Sequence, residues 1–193
     1  LQGATQRAAQ KEVDASIDRL IYFAGWADKY QQVFSAVNPV ASSHFNFSVL
    51  EPTGVVSIIA PDDSGLLGLV SNVAPTIVGG NTCVVLASES MPLSAVSFAE
   101  VLHASDVPGG VVNILTGLRS ELTGHFASHM DVNAIVFCDG ARKTARTVQE
   151  LASDNIKRVI ARAGIDWGSE SAQHPYLIRD TQEVKTTWHP IGS

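Results

Sequence analysis

Two thiols, a histidine pair and a basic run are the groups in this 193-residue sequence whose types and spacing could do chemistry. Cys138 closes an apolar run and falls at the carboxyl end of a predicted strand, where α/β proteins gather their ligands. To act as a nucleophile it would have to ionise, and the neighbouring Asp139 disfavours the thiolate. Cys83 lies inside another apolar run and reads as a core residue. His125 and His129 are spaced i, i+4 and can share a helix face, but no third ligand stands near them, so a structural role is expected and no metal. Arg142, Lys143 and Arg146 form either an anion site on one helix or a solvated face. Gly117 and Gly140 each follow a predicted strand, as phosphate cradles or as plain turns.

The elements that must position these groups alternate. Five short β-branched runs, at 55–59, 82–86, 111–115, 134–137 and 158–161, are separated by amphipathic stretches at 64–78, 94–104, 120–128 and 141–153. Strand and helix in alternation give a parallel sheet covered on both faces, and right-handed crossovers make it doubly wound. Ahead of it, residues 5–34 carry an apolar stripe at helical spacing and should pack on the sheet. Phe45, Phe47 and Val49 alternate with Asn46 and Ser48 as a strand does, and a second alternating run, Val184, Thr186 and Trp188, precedes Pro190.

Composition excludes several classes. A net charge of −6 with scattered basic residues argues against nucleic acid, and no apolar run is long enough to span a bilayer. Two free thiols in apolar surroundings suit a reducing compartment, so a cytoplasmic location is expected. The chain opens Leu-Gln-Gly, which suggests a piece of something longer.

Six short blocks then come in a telling order: Tyr22-Phe-Ala-Gly-Trp-Ala-Asp-Lys-Tyr30, Glu51-Pro-Thr-Gly-Val55, Gly80-Asn-Thr82, Pro108-Gly-Gly-Val-Val-Asn-Ile114, Ala127-Ser-His129 and Asn155-Ile-Lys-Arg-Val159. In order and spacing this resembles the aldehyde dehydrogenase superfamily of oxidoreductases, over roughly residues 20–164. Glu183-Val-Lys-Thr186 looks like the final strand of those enzymes, which implies that a whole domain is missing between the two matches.

The resemblance implies a Cys nucleophile, a Glu base, an Asn oxyanion donor and bound NAD. It sets the Asn at Asp63, an acceptor-only carboxylate, and the Glu at Arg162, which cannot take a proton. The nucleophile's segment has no counterpart here. For the dinucleotide, the ribose-binding Lys aligns with Leu86 and its partner Glu is kept as Glu89, while a turn glycine aligns with Asp139. Gly117 and Gly140 remain as degenerate cofactor positions.

The fold expected is therefore α/β: a doubly wound, parallel, five-stranded Rossmann-like sheet of aldehyde dehydrogenase type plus a small β-flap. Its parts are an N-terminal helical segment at 1–43, a dinucleotide-type domain at 54–164, a flap from 44–53 and 183–193, and a connecting loop at 165–182. The chain looks most like the truncated, non-catalytic second module of two-module, family-sixteen aldehyde dehydrogenases. On that reading this chain alone is inactive, and no cofactor is expected, NAD being the candidate if any. Phe45, Phe47, Val49, Val184, Thr186 and Trp188 would form an interface with a catalytic module or a second copy, in a homo-oligomer of the parent protein. The alternative is the NAD-binding part of an oxidoreductase that oxidises aldehydes to carboxylic acids, with catalytic residues supplied by another module.

Overall fold

The computed structural model describes residues 2–192. Helix α1 (Gln6–Ala24) and the short α2 (Tyr30–Phe34) lead into β1 (Ala36–Asn38) and β2 (His44–Pro52). From there strand and helix alternate: β3 (Val55–Ile59), α3 (Leu67–Val78), β4 (Thr82–Leu86), α4 (Leu93–His103), β5 (Val112–Leu115), α5 (Arg119–Ser128), β6 (Ala134–Phe137), α6 (Arg142–Ala152) and β7 (Arg158–Ala161). A single-turn helix α7 (Tyr176–Arg179) and a long strand β8 (Gln182–Pro190) close the described chain.

β3 to β7 form the expected parallel sheet in the order β5-β4-β3-β6-β7. Its central strands are apolar at nearly every position because helices cover both faces. Val56, Ile58, Val85 and Val136 pack under α3 and α4, while Ile59, Ile135 and Phe137 pack under α5 and α6. Each fully buried side chain of this size stabilises the fold by about 1.5–3 kcal/mol. The chain runs outward from β3 through β4 to β5 and then returns to begin β6 beside β3. Between β3 and β6 the direction of winding reverses, which opens a crevice at the carboxyl ends of the strands.

The helical segment is tied to this sheet by polar groups as well as by packing. Oε1 of Glu12 in α1 accepts the N–H groups of Leu66 and Leu67 at 3.0 and 3.1 Å, so a carboxylate from another helix caps α3. Arg19 is buried and donates to Ser71 Oγ of α3 and to the carbonyls of Ala172 and Trp167. The expected single span is in fact two helices, since turns at residues 25–29 separate α1 from α2.

The flap has three strands, not two: β1, β2 and β8 pair antiparallel in that order. All nine residues of β2 are matched by β8, from His44 opposite Pro190 to Pro52 opposite Gln182. This register separates the residues expected to form one interface. Phe45, Phe47 and Val49 share a face with His189, Thr187 and Lys185, whereas Val184, Thr186 and Trp188 lie on the opposite face with Leu50, Ser48 and Asn46. A period of two shows that alternate residues point together; it does not say which strand face meets which. The second face carries a polar ladder, in which Asn38 Nδ2 donates to Asn46 Oδ1 and Ser48 Oγ, and Ser48 Oγ meets Thr186 Oγ1 at 2.8 Å.

Residues 165–182 are not a plain loop. They hold a 3₁₀ turn at Glu170–Ala172 and helix α7, and Trp167, Ala172, Leu177 and Ile178 are buried. Four apolar anchors spaced among polar residues make no period, so only packing reveals them.

Candidate functional site

The crevice at the switch point is a cleft of about 690 Å³, built from the loops that follow three parallel strands and from the start of α5. Asp62 and Asp63 follow β3, Arg119 opens α5, Cys138, Asp139 and Gly140 follow β6, and Asp166 and Trp167 follow β7. Asp62 ties these loops together. Its Oδ1 accepts the Ser88 hydroxyl at 2.9 Å and the Ser90 N–H at 3.0 Å, and lies 3.7 Å from the Arg119 guanidinium. Burial works against this carboxylate, but the Ser90 and Ser88 hydrogen bonds and Arg119 outweigh it and hold its pKa below the usual range. Arg119 also donates to the carbonyl of Ala60.

The sequence-predicted dinucleotide residues sit around this end of the sheet in altered roles. Glu89 Oε2 accepts the Arg119 N–H at 2.7 Å, so it caps the amino end of α5. Leu86 is fully buried, within the core under α5. Asp139 Oδ1 accepts the N–H of Ala141 at 2.9 Å, which places a negative charge where α6 begins. A Cβ on Gly117 would stand 2.7 Å from Leu122 Cδ1, so a side chain there would displace that methyl, whereas Gly140 has open space around it.

The expected catalytic positions divide. Asp63 lines the cleft, but Arg162 does not. Arg162 is 5% exposed; its guanidinium donates to Asn72 Oδ1 at 2.9 Å, to Asp180 Oδ2 at 3.0 Å and to the Leu177 carbonyl at 3.4 Å. Cys138 lines the cleft with its thiol 3.6 Å from Asn72 Oδ1. Burial is the main force pushing this thiol up, to about 12, with Asp63 adding to it against Arg162 and Arg119. Burial and Asp63, then, do what the sequence assigned to Asp139. Cys83, fully buried, is likewise pushed up to about 12 by burial. Both are thiols at neutral pH.

Arg146 pairs with Glu150 one turn along, both exposed, as on a solvated helix face. His129 Nδ1 accepts the Asp131 N–H at 3.2 Å. Among the described residues, no group of three or more His, Cys, Asp or Glu is placed to hold a metal, and no helix is long and apolar enough to cross a membrane. Sequence reasoning missed Arg119, Asn72 and Asp180. Asp63 and Asp139, both singled out in the sequence, were the signs of the cleft's acidity.

Cleft and sheet define an open, doubly wound α/β domain with its ligand crevice at the switch point. Residues 1–166 match the aldehyde dehydrogenase family. The chain is 39% identical over 145 residues to hydroxyisobutyraldehyde dehydrogenase of Mycolicibacterium austroafricanum, covering 75% of this chain and 28% of that protein. It is 33% identical over 186 residues to an aldehyde dehydrogenase-like protein of Schizosaccharomyces pombe, covering 95% of this chain and 35% of that protein. Among solved structures, PnpE from Pseudomonas sp. WBC-3 superposes with a TM-score of 0.74 at 32% identity, covering 79% of this chain and 31% of PnpE. PnpE is also known in complex with nicotinamide adenine dinucleotide. The chain belongs to the aldehyde dehydrogenase family. It spans about a third of the length of the curated relatives it matches.

Proposed function

We propose that this chain is a non-catalytic aldehyde dehydrogenase-like module with a structural, oligomerising role in an aldehyde dehydrogenase family protein, similar to the truncated second module of family-sixteen members. Arg162 carries this reading. Where the resemblance implies a Glu base stands a guanidinium that cannot accept a proton and is tied inside the fold to Asn72 and Asp180. Asp63 supports it, since a carboxylate at the oxyanion position repels developing negative charge. The partner is a catalytic aldehyde dehydrogenase module or a second copy, met through the flap.

The residues present do not suit a dinucleotide. Asp62, Asp63, Asp139 and Asp166 line the cleft, and its one arginine, Arg119, is engaged by Asp62 and Ala60. A pyrophosphate would meet net negative charge there. One observation favours the NAD-binding alternative: the chain keeps Glu89 where the resemblance implies a ribose-binding Glu, in a fold whose relative PnpE is known with NAD.

Isothermal titration with NAD, beside an assay of aldehyde-dependent NADH formation, tests the reading. We expect no turnover and no saturable NAD binding. A dissociation constant at or below about 10 μM, or turnover abolished by Cys138→Ala, overturns it.

A further inference from the structure

On the face of the sheet that carries α5 and α6, the two helices leave one side bare. α5 packs over β3 and α6 over β7, so Leu86 of β4 is covered while Val84 of β4 and Leu115 of β5 on that face are covered only in part. Leu115, at the end of β5, is 43% exposed there. The result is a cavity of about 370 Å³ that shares no lining residue with the acidic cleft. Its floor is sheet, with Val84 at the centre, and its wall is the Leu122 and Phe126 face of α5. Ligand sites run from about 300 to 1,000 Å³ and are walled mainly by apolar side chains with a few polar groups to orient the guest. The lower end of that range holds one or two fused rings.

Ser57 is buried in the floor and donates to the Phe126 carbonyl, so the polar groups open to a guest are His125, His129 and Asp131. His129 Nδ1 takes the Asp131 N–H, which leaves a neutral His129 with its proton on Nε2. The Asp131 carboxylate has no hydrogen-bond or ion-pair partner among the described residues, and no Lys or Arg lines the cavity. Lys157 is outside the lining, its ammonium engaged by the Ala127 and His129 carbonyls at 2.9 and 2.7 Å. Glu121 stands one turn before His125 on the same helix. The field at the mouth is therefore set by carboxylate, and the complementary guest is cationic.

We propose that this cavity binds a small, flat aromatic ligand bearing a cationic amine, with its ring on Val84, Leu122 and Phe126 and its ammonium at Asp131. The inference is independent of whether the chain is catalytic. Two probes of one shape and opposite charge test it: 1-naphthylmethylammonium and 1-naphthylacetate, titrated into the 193-residue chain while the His125 and His129 ring resonances are followed by NMR.

The ammonium should shift those resonances saturably, with a dissociation constant of about 0.1–1 mM, the range open to a dozen heavy atoms. The acetate should bind about five-fold more weakly, as one exposed charge contact allows. Asp131→Asn should equalise the probes. Val84→Trp should abolish binding, and Leu115→Trp, at a position already exposed, gives the same reading should the substitution at half-buried Val84 fail to fold. Absence of saturation, equal affinity of the wild type for both probes, binding unchanged in Leu115→Trp, or displacement of the ammonium by NAD would each overturn the proposal.

Discussion

Arg162 is held by three oxygens from three parts of the chain: Asn72 in α3, the Leu177 carbonyl in α7 and Asp180. Replacing it with Met leaves those acceptors without their donor, and we expect a loss of about 2–4 kcal/mol, read from urea unfolding. Arg162→Glu restores the residue type the family implies but sets a carboxylate beside Asp180, so it should destabilise at least as much and gain no activity in the aldehyde assay. His174 gives a pH signature. Burial holds its pKa below the ordinary histidine value, with Arg162 and Arg19 adding to this against Asp180. The folded state then binds the proton less readily than the unfolded chain, so stability is fullest above the unfolded pKa, about 6.5. It falls as the pH drops from there to the lower folded value. Urea midpoints at neutral and mildly acidic pH should therefore differ less in His174→Gln than in the parent; an equal difference would show that His174 does not govern that window. Asp63 and Arg162 were legible in sequence because the resemblance fixed their positions. The partners of Arg119 and Arg162 were not, since each is assembled from loops far apart along the chain.

Strands β3, β4, β6 and β7 have the bounds that the β-branched runs predict; β3 and β6, at the centre of the sheet, are buried nearly throughout, whereas β7 is a half-exposed edge strand that opens with Arg158. β1, at three residues, is too short to carry a period, and α7 has a single turn. Both are set by what they pack against. The cap on α3 is likewise invisible locally, since its acceptor is Glu12, 54 residues away. Glu12→Ala should lower stability by about 1–2 kcal/mol, as loss of a helix cap does, measured by thermal unfolding; Glu12→Gln, which keeps an acceptor, should lower it less. The turn between β2 and β3 depends on Gly54, whose φ of +124 few side-chain-bearing residues adopt. A Cβ there would lie 2.4 Å from Asn133 Oδ1, the atom that accepts the Val55 N–H. Gly54→Ala should therefore cost more than about 2 kcal/mol, and an unchanged urea midpoint would refute this account of the turn.

Across the whole molecule, the doubly wound domain and the flap depend on each other unequally. The cluster that joins them, with Phe23, Leu50, Ala74, Leu177 and Ile178, contains nothing beyond residue 178, and Gln182 Nε2 holds the Gly79 carbonyl at 2.9 Å from the first position of β8. Deleting residues 183–193 should therefore leave the five-stranded sheet folded, with the far-ultraviolet signal of its helices intact. It should also abolish association, because the flap loses the strand that completes it. Light scattering of the two chains decides: equal masses, or a truncated chain that does not fold, would count against the interface role. The layered α/β architecture was readable from alternation alone, whereas the face each flap residue presents required the register.

Ser48 and Thr186, joined across the flap, are 138 positions apart. At roughly 5–20 residues per second of synthesis, β2 leaves the ribosome roughly 7–28 seconds before its partner exists. Throughout that interval Phe45 and Phe47 sit on a strand with an open edge, the kind of surface that recruits neighbouring chains. The nascent protein therefore carries a built-in waiting period, and what occupies β2 during it, whether solvent, a chaperone or another copy already complete, decides whether the flap closes on its own chain.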